Sequence, residues 1–146
     1  MEIRNLTKED LASLVKLYIQ LDENNANISL EKARNVWDEI EANKNIQYIG
    51  AVDNGKVVST CYFTIIPNLT KGSRSICFIE NVVTDKDYRK QGLGKKVIQK
   101  AIDVAKANNC YKVILQSGVQ RTEAHTFYEH IGFSGSTKKA FEMRLD

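Results

Sequence analysis

The first 45 residues carry apolar side chains mostly at the spacing of helices, after a short initial strand. Met1 to Leu6 predicts the strand, and the segment Thr7–Asp10 (TKED) has the form of a capping box that opens a helix. Apolar residues then recur every three or four positions, as in an amphipathic helix. A polar stretch, Asp22 to Asn27, separates this helix from a second one, which Ser29 is placed to cap.

The middle of the chain is rich in β-branched and aromatic residues, which are typical of strands. Ile46–Val52 and Lys56–Ile66 predict two antiparallel strands, because Asn54-Gly55 between them is a strong hairpin signal. The only proline, Pro67, ends the second strand and begins a polar loop through Arg74. A further strand is predicted from Ser75 to Thr84.

The last third alternates between helix and strand. Gly92–Ala107 has an apolar stripe at helical spacing, Lys112–Ser117 predicts a strand and Arg121–Ile131 a helix. Apolar residues alternate within Ala140–Leu145, which predicts a closing strand. The whole order predicts an α/β (α+β) fold, in which a mixed, mostly antiparallel sheet of six to seven strands is flanked by about four helices.

Size and charge narrow the class of protein. With 146 residues, 42% of them hydrophobic, the chain is expected to form a single domain, residues 1–146. The formal charge of +3, from 21 Lys+Arg against 18 Asp+Glu, is too small to indicate nucleic-acid binding without a concentrated basic patch. Six cations between Lys86 and Lys100 are the nearest approach to such a patch. A nucleic-acid binder is therefore kept as a rival interpretation and no nucleic-acid partner is predicted.

The expected location is the cytoplasm. No stretch approaches the roughly 20 consecutive apolar residues that span a bilayer, and the first residues lack the pattern of a signal peptide, so no membrane association is predicted. Cys61, Cys77 and Cys110 are far apart and lie in or beside apolar runs. They are interpreted as buried free thiols, with neither a disulfide framework nor a metal site.

A glycine-containing segment, Arg89–Gly94 (RKQGLG), lies between a predicted strand and a predicted helix. Gly92 and Gly94 let the backbone approach a ligand closely, and the helix N-terminus offers unpaired N–H groups and a positive dipole. Nearby Lys90 and Lys95 add positive charge. The arrangement suits a pyrophosphate, although the cations alone are typical of an ordinary solvated helix start. The motif lacks the third glycine of a dinucleotide fingerprint and the Gly-Lys-Ser/Thr of an ATP-binding loop.

In this segment the chain resembles the GCN5-related N-acetyltransferase (GNAT) family, whose motif is Gln/Arg-x-x-Gly-x-Gly/Ala. The likeness also includes Ile79–Thr84 (IENVVT) before the motif and Ala124–Phe133 (AHTFYEHIGF) after it, and it extends over about Ile46 to Phe133. It implies the GNAT fold, acetyl-CoA as co-substrate and acetyl transfer to an amine. The resemblance implies that the end of the strand, through its backbone, and the motif, through its N–H groups and positive charges, bind acetyl-CoA. The residues concerned are Val82, Val83, Thr84, Arg89, Lys90, Gln91, Gly92, Leu93, Gly94 and Lys95.

Glu80 is the candidate general base. An amine is protonated at neutral pH and must lose a proton before it attacks a thioester. Strict alternation places Glu80 on one strand face with Ile76, Phe78 and Val82, where desolvation makes a carboxylate a stronger base. The family often has its catalytic carboxylate at this point. The alternative is a solvated carboxylate without a chemical role.

Tyr128 is the candidate general acid, because the family commonly uses a tyrosine of this motif to protonate the departing thiolate. The alternative is a tyrosine that only packs in the core. His125 lies three residues earlier on the same helical face and is left unassigned. Many relatives have Asn seven residues before the tyrosine, where this chain has Arg121, so the contact made there is left open.

The acceptor is predicted to be a primary amine of a small molecule, such as an amino sugar, amino acid, aminoglycoside or polyamine. Glu80 lies nine residues before Arg89, a spacing that resembles the branch acting on amino-sugar phosphates. A protein or peptide amine is the alternative acceptor, and a non-catalytic acetyl-CoA-binding module is the alternative function. Because the family often dimerises, a homodimer that pairs through Ala140–Leu145 is a further expectation.

Overall fold

The computed structural model describes all 146 residues and contains one five-stranded sheet in the order β1-β2-β3-β4-β5. The pairs β1–β2, β2–β3 and β3–β4 are antiparallel. The strands are β1 (Glu2–Asn5), β2 (Ile46–Asp53), β3 (Lys56–Ile66), β4 (Ile76–Thr84) and β5 (Lys112–Leu115). The helices are α1 (Leu11–Leu21), α2 (Leu30–Ala42), α3 (Thr70–Ser73), α4 (Leu93–Ala107) and α5 (Thr122–Ile131).

Two compact units make up the chain, Met1–Ile114 and Leu115–Asp146. The first contains β1 to β4, α1 to α4 and most of β5. The second contains α5 and the C-terminal residues.

The predicted closing strand is wrong, and the sheet has five strands rather than six or seven. Residues 137–146 form no regular structure, and Phe141, Met143 and Leu145 are 86%, 84% and 95% exposed. Alternation gives a segment one apolar face, but a strand also needs a hydrogen-bonded neighbour and a surface to cover that face. The alternating pattern alone therefore does not fix a strand.

One face of the sheet in the first unit is covered by α1 and α2. The core on this side combines residues from both helices, from three strands and from the connection after β1: Leu6, Leu11, Leu14, Leu17, Trp37, Val52, Val57 and Val83. Gly50 allows the closest approach, because a Cβ there would lie 2.6 Å from Leu6 Cδ2. The glycine in β2 thus makes room for the chain leaving β1.

The opposite face packs against α4. The Cys61 thiol lies 3.8 Å from the Val97 carbonyl oxygen of that helix, and Phe63 and Ile79 are fully buried. Burial raises the pKa of Cys61 to about 12, which keeps this thiol protonated and unreactive. The prediction of buried free cysteines is confirmed for Cys61 and Cys77, while Cys110 is half-buried.

The junction between β1 and α1 depends on Asp10. Its carboxylate accepts hydrogen bonds from the Thr7 backbone N–H at 2.8 Å and from the Arg4 guanidinium at 2.7 and 2.9 Å. The hydrogen bond from Arg4 is the largest cause that holds the pKa of Asp10 below its usual value, and the bond from the Thr7 backbone lowers this pKa further. The predicted helix start is thus present, although Lys8–Asp10 form a 3₁₀ turn before α1. Ser29 caps α2 as predicted, accepting a hydrogen bond from the Lys32 N–H at 3.3 Å.

Candidate active site

A β-bulge in β4 determines which side chains surround Glu80. Thr60 of β3 pairs with Val83, but Tyr62 pairs with Glu80, so two residues of β4 lie opposite Cys61. Asn81, the residue after Glu80, has a φ of 52°, in the left-handed region. The extra residue shifts the alternation of every side chain that follows it.

The bulge leaves Glu80 on the predicted face with Ile76 and Phe78 and corrects only the position of Val82. Tyr62 and Thr60 lie on the same face of β3, so their partners Glu80 and Val83 share a face as well. Val83, not Val82, therefore follows Glu80 on the side covered by α1 and α2. Glu80 is half-buried, as are Ile76 and Phe78 before it, whereas fully buried residues occupy the other face. The carboxylate thus lies in mixed surroundings that a solvent-borne substrate can reach.

Three tyrosines and a tryptophan, here called the tyrosine cluster, lie on this face: Tyr18, Tyr48, Tyr62 and Trp37. The rings of Tyr48 and Tyr62 stack with centroids 4.7 Å apart and planes 12° from parallel, and Trp37 lies 5.1 Å from Tyr48. The Trp37 indole N–H donates to a Glu41 carboxylate oxygen at 2.9 Å. Four elements, α1, α2, β2 and β3, contribute to the cluster.

The hydroxyls of the tyrosine cluster stay protonated. Burial is the larger cause and Tyr62 the smaller cause that together raise the pKa of Tyr48 to about 12. Burial is also the larger cause for Tyr62, whose pKa is raised further by the negative charge of Glu80. The Tyr18 hydroxyl is buried, and burial, together with nearby Tyr48, raises its pKa well above the usual value, although the Asn81 side chain opposes this rise as a hydrogen-bonding partner. These tyrosines are neutral hydrogen-bonding groups rather than bases, so Glu80 is the candidate base on this face.

The N-terminus of α4 has the geometry of an anion site. Gly92 is the N-cap residue with a φ of 75°, and the first helical bond runs from the Lys96 N–H to its carbonyl at 3.1 Å. The N–H groups of Leu93, Gly94 and Lys95 therefore have no partner within the helix. A Cβ on Gly92 would meet nothing within 4 Å, so the protein itself requires glycine here for its left-handed backbone.

The predicted acetyl-CoA contacts differ in their surroundings. Arg89 donates through Nε to the Thr84 carbonyl at 3.1 Å, which ties the motif to the end of β4. Lys90, Gln91 and Lys95 are exposed. Val83 is buried in the core, Val82 is half-buried, and the Thr84 hydroxyl lies 2.8 Å from that of Ser59. The exposed residues and the free N–H groups are thus available to a ligand, while Val83 and Thr84 have only their backbones to offer.

A set of polar contacts that the sequence did not suggest holds the loop before α4. Asp85 is 3% exposed, caps the 3₁₀ turn Lys86–Tyr88 and forms a 2.7 Å ion pair with Lys56. Lys56 holds the pKa of Asp85 below its usual value, and the Asp87 backbone N–H contributes in the same direction.

The same loop is also held through Tyr88. The Lys56 ammonium lies 5.3 Å from the Tyr88 ring centroid, and the Tyr88 hydroxyl donates to Asp53 at 3.0 Å. Lys56 and Asp53 flank the Asn54-Gly55 turn, in which both residues have positive φ, as the hairpin prediction requires. The β2–β3 hairpin thus fixes the loop that leads to the glycine motif.

In the second unit, Tyr128 lies in α5 among aromatic rings. Its ring is 5.2 Å from Phe127 and 6.1 Å from Phe133. A His125 ring nitrogen lies 2.8 Å from the Gly118 carbonyl, a contact within this unit that holds the start of α5. Arg121 is exposed at the N-cap position of α5. The acid role of Tyr128 stays a prediction.

Comparison with known proteins identifies the family. Residues 11–133 match the model of the Acetyltransferase (GNAT) family. A glucosamine 6-phosphate N-acetyltransferase of Trypanosoma brucei brucei is 32% identical over 146 residues, which are 100% of this chain and 95% of the relative.

Solved structures agree with this match. A putative acetyltransferase from Agrobacterium tumefaciens has a TM-score of 0.93 and 36% identity, with 99% of both chains covered. The glucosamine-6-phosphate N-acetyltransferase from Arabidopsis thaliana has a TM-score of 0.79 and 29% identity, with 98% of this chain and 95% of that chain covered.

The chain belongs to the GNAT acetyltransferase family. It is an acyl-CoA-dependent N-acetyltransferase with the α/β GNAT fold. None of its helices is both long and apolar enough to cross a membrane.

Proposed function

We propose that this protein transfers the acetyl group of acetyl-CoA to the primary amine of a small molecule, an amino-sugar phosphate of the glucosamine 6-phosphate type. One observation carries the proposal. Strand β4 presents the half-buried carboxylate of Glu80 and then leads, through a loop held by Asp85, to a helix N-terminus with free N–H groups. Full-length similarity to a glucosamine 6-phosphate N-acetyltransferase supports the choice of acceptor.

The donor binds at the start of α4. Its pyrophosphate accepts hydrogen bonds from the N–H groups of Leu93, Gly94 and Lys95, and the helix dipole and the exposed cations Lys90 and Lys95 stabilise its charge. Arg89 keeps guanidinium N–H groups for a phosphate while its Nε bonds to Thr84. The pantetheine arm pairs with backbone groups of Val82 to Thr84, as an added strand would.

Transfer then proceeds by direct attack. Glu80 accepts a proton from the acceptor ammonium, and the freed nitrogen attacks the thioester carbonyl carbon. The new carbon–nitrogen bond forms, the carbon–sulfur bond breaks, and the electron pair of that bond leaves on sulfur. The nitrogen loses its second proton to solvent as the amide forms. Tyr128 is proposed to donate the proton that the thiolate takes up, and the tyrosinate then regains a proton from solvent. The products are the N-acetylated amine and CoA.

Two alternatives predict different outcomes. A protein or peptide amine acetyltransferase prefers peptide amines over free sugars, and a non-catalytic module binds acetyl-CoA without releasing CoA. The experiment is a screen of acetyl-CoA with amino sugars, aminoglycosides, amino acids, polyamines and peptides, read by thiol release. Fastest release with glucosamine 6-phosphate supports the proposal. If acetyl-CoA binds but no amine causes release of the thiol, the protein is a non-catalytic acetyl-CoA-binding module.

A further inference from the structure

Among the hydroxyls of the tyrosine cluster, that of Tyr62 belongs to the direct cross-strand partner of Glu80 and holds no part of the fold. Tyr88 shows the contrast, since its hydroxyl donates to Asp53 and holds a loop. The Tyr62 ring is stacked on Tyr48, and its hydroxyl has no hydrogen bond to another side chain. Tyr62 is half-buried, so a substrate can reach it. A fixed ring with an unused hydroxyl beside the candidate base is the geometry of a substrate contact.

We propose that the Tyr62 hydroxyl binds a hydroxyl group on the carbon next to the reactive amine, so that Tyr62 and Glu80 together select vicinal amino alcohols. The inference rests on the proposed function and extends it to specificity. Glucosamine and its 6-phosphate are acceptors of this class, because the amine at C2 has oxygen substituents on both neighbouring carbons. Simple alkyl amines and polyamines are not.

The pairing of β3 with β4 places Tyr62 and Glu80 close enough to contact one such substrate together. Tyr62 and Glu80 are direct cross-strand partners on one face, and such partners have Cβ atoms about 4.5–5.5 Å apart. A vicinal amino alcohol presents its nitrogen and its oxygen from adjacent carbons, so neighbouring side chains can contact both at once. The bulge at Asn81 comes directly after Glu80, so the regular pairing of β3 with β4 ends at the Tyr62–Glu80 pair.

The charges around the tyrosine cluster point to the same class. The cluster itself offers no cation, since its side chains are three phenols and an indole, and Glu80, the cross-strand partner of Tyr62, is an acid. A phosphate would lack a partner there, whereas a neutral hydroxyl finds one in a phenol that can donate and accept. Any acceptor phosphate therefore lies outside this subsite. The stacked Tyr48 ring fixes the direction of the Tyr62 hydroxyl, which reduces the entropy lost on binding.

The test combines one variant with three sugars. Tyr62→Phe keeps the ring and removes the hydroxyl, and Tyr111→Phe is the matched control, since that ring lies beside Lys112 outside the cluster. The substrates are glucosamine 6-phosphate and its 1-deoxy and 3-deoxy analogues. Tyr62→Phe is expected to lower kcat/KM for glucosamine 6-phosphate by about 10- to 100-fold, because the sugar hydroxyl is left without its partner. The KM for acetyl-CoA and the melting temperature should not change.

The analogues separate direct contact from an effect through Glu80. For the analogue that lacks the bound hydroxyl, Tyr62→Phe and the wild type should have similar kcat/KM. An equal loss on all three sugars would mean that Tyr62 acts through the base, and no loss on any would mean that it has no role. Either result overturns the inference.

Turnover of the sugars by the wild type tests the proposed function independently of the role of Tyr62. If the wild type acetylates none of the sugars, calorimetric binding of the same three sugars to the CoA-bound protein replaces kcat/KM. The Tyr62→Phe loss must then appear in the dissociation constant with the same dependence on the analogue. Absence of sugar binding would overturn the subsite as well.

Discussion

As we propose them, the donor site at the N-terminus of α4 and the acceptor subsite in the tyrosine cluster recognise their ligands by opposite means. At α4 the recognising groups are backbone N–H groups and exposed cations within a short stretch of chain, from Lys90 to Lys95. In the tyrosine cluster they are neutral side-chain hydroxyls from separate elements, held by ring stacking. The first suits an anion of fixed structure and the second a neutral polar group. Donor binding and acceptor choice are therefore expected to be separable by substitution, with Glu80 as the base beside both proposed substrates.

The largest expected effect comes from Glu80, because both proposed substrates react beside it. Glu80→Gln should lower kcat by about 10²–10⁴-fold, the usual cost of losing a general base. Binding of acetyl-CoA should be nearly unchanged. The loss should shrink at high pH, where solvent supplies more free amine. Steady-state kinetics from neutral to alkaline pH measure this, with Glu39→Gln on the exposed side of α2 as control. A wild-type rate at neutral pH would assign deprotonation to another group.

A smaller effect is expected from Tyr128, which tests whether departure of the thiolate needs a specific acid. Tyr128→Phe should lower kcat by about 10- to 100-fold, less than Glu80→Gln, since a thiol with a pKa near 8.5 leaves without full protonation. Single-turnover kinetics with two acyl donors, one whose thiolate leaves readily and one whose thiolate leaves slowly, measure the step. The Tyr111→Phe variant serves again as control. If both donors respond equally to Tyr128→Phe, its role is packing rather than proton transfer.

The same contrast explains what the sequence could predict. The glycine motif occupies consecutive residues, so its helix N-terminus and anion-binding character follow from local rules. The tyrosine cluster depends on a register that brings Tyr62 opposite Glu80, and the bulge at Asn81 hides that register from strict alternation. The hairpin and the helices α1, α2, α4 and α5 agree with the predicted segments to within a few residues for the same local reason. The prediction of a loop from Pro67 through Arg74 is wrong at α3, which makes five helices rather than about four. Residues 137–146 were not, and their pairing with a second copy stays a prediction.

A substitution at Gly92 tests whether acetyl-CoA binds at the N-terminus of α4. Gly92→Val should weaken acetyl-CoA binding by at least about 10-fold, because a β-branched residue resists the left-handed backbone and a side chain there obstructs the pyrophosphate. Gly72→Val is the matched control, since Gly72 has a φ of 69° and equally open space but lies in α3. Both variants should lose similar stability. The thermal shift produced by acetyl-CoA should disappear only in Gly92→Val, and its survival there would remove Gly92 from the donor site.

The smallest expected effect comes from Lys56, which touches neither proposed substrate. Lys56→Met removes the ion pair to Asp85 and the contact with Tyr88, so the loop before α4 should become less well fixed. The KM for acetyl-CoA is expected to rise about three-fold with little change in the KM for the acceptor, because Lys56 is exposed to solvent and the buried Asp85 keeps its hydrogen bond from the Asp87 N–H. Lys44→Met, at an exposed position in the turn after α2, is the control. An equal change in both KM values would mean that the hairpin positions more than the donor loop.

The pH dependence of stability gives Lys56→Met a second readout. Because Lys56 lowers the pKa of Asp85 in the folded protein, the ion pair stabilises the fold above the unfolded pKa of about 3.9, and this stability is lost as pH falls through the lower folded pKa. The wild type should therefore exceed Lys56→Met in denaturant midpoint at pH 6, and the two should converge as the pH approaches 2. A difference that is the same at both pH values would show that Lys56 stabilises the loop by packing on Tyr88 and not through the charge of Asp85.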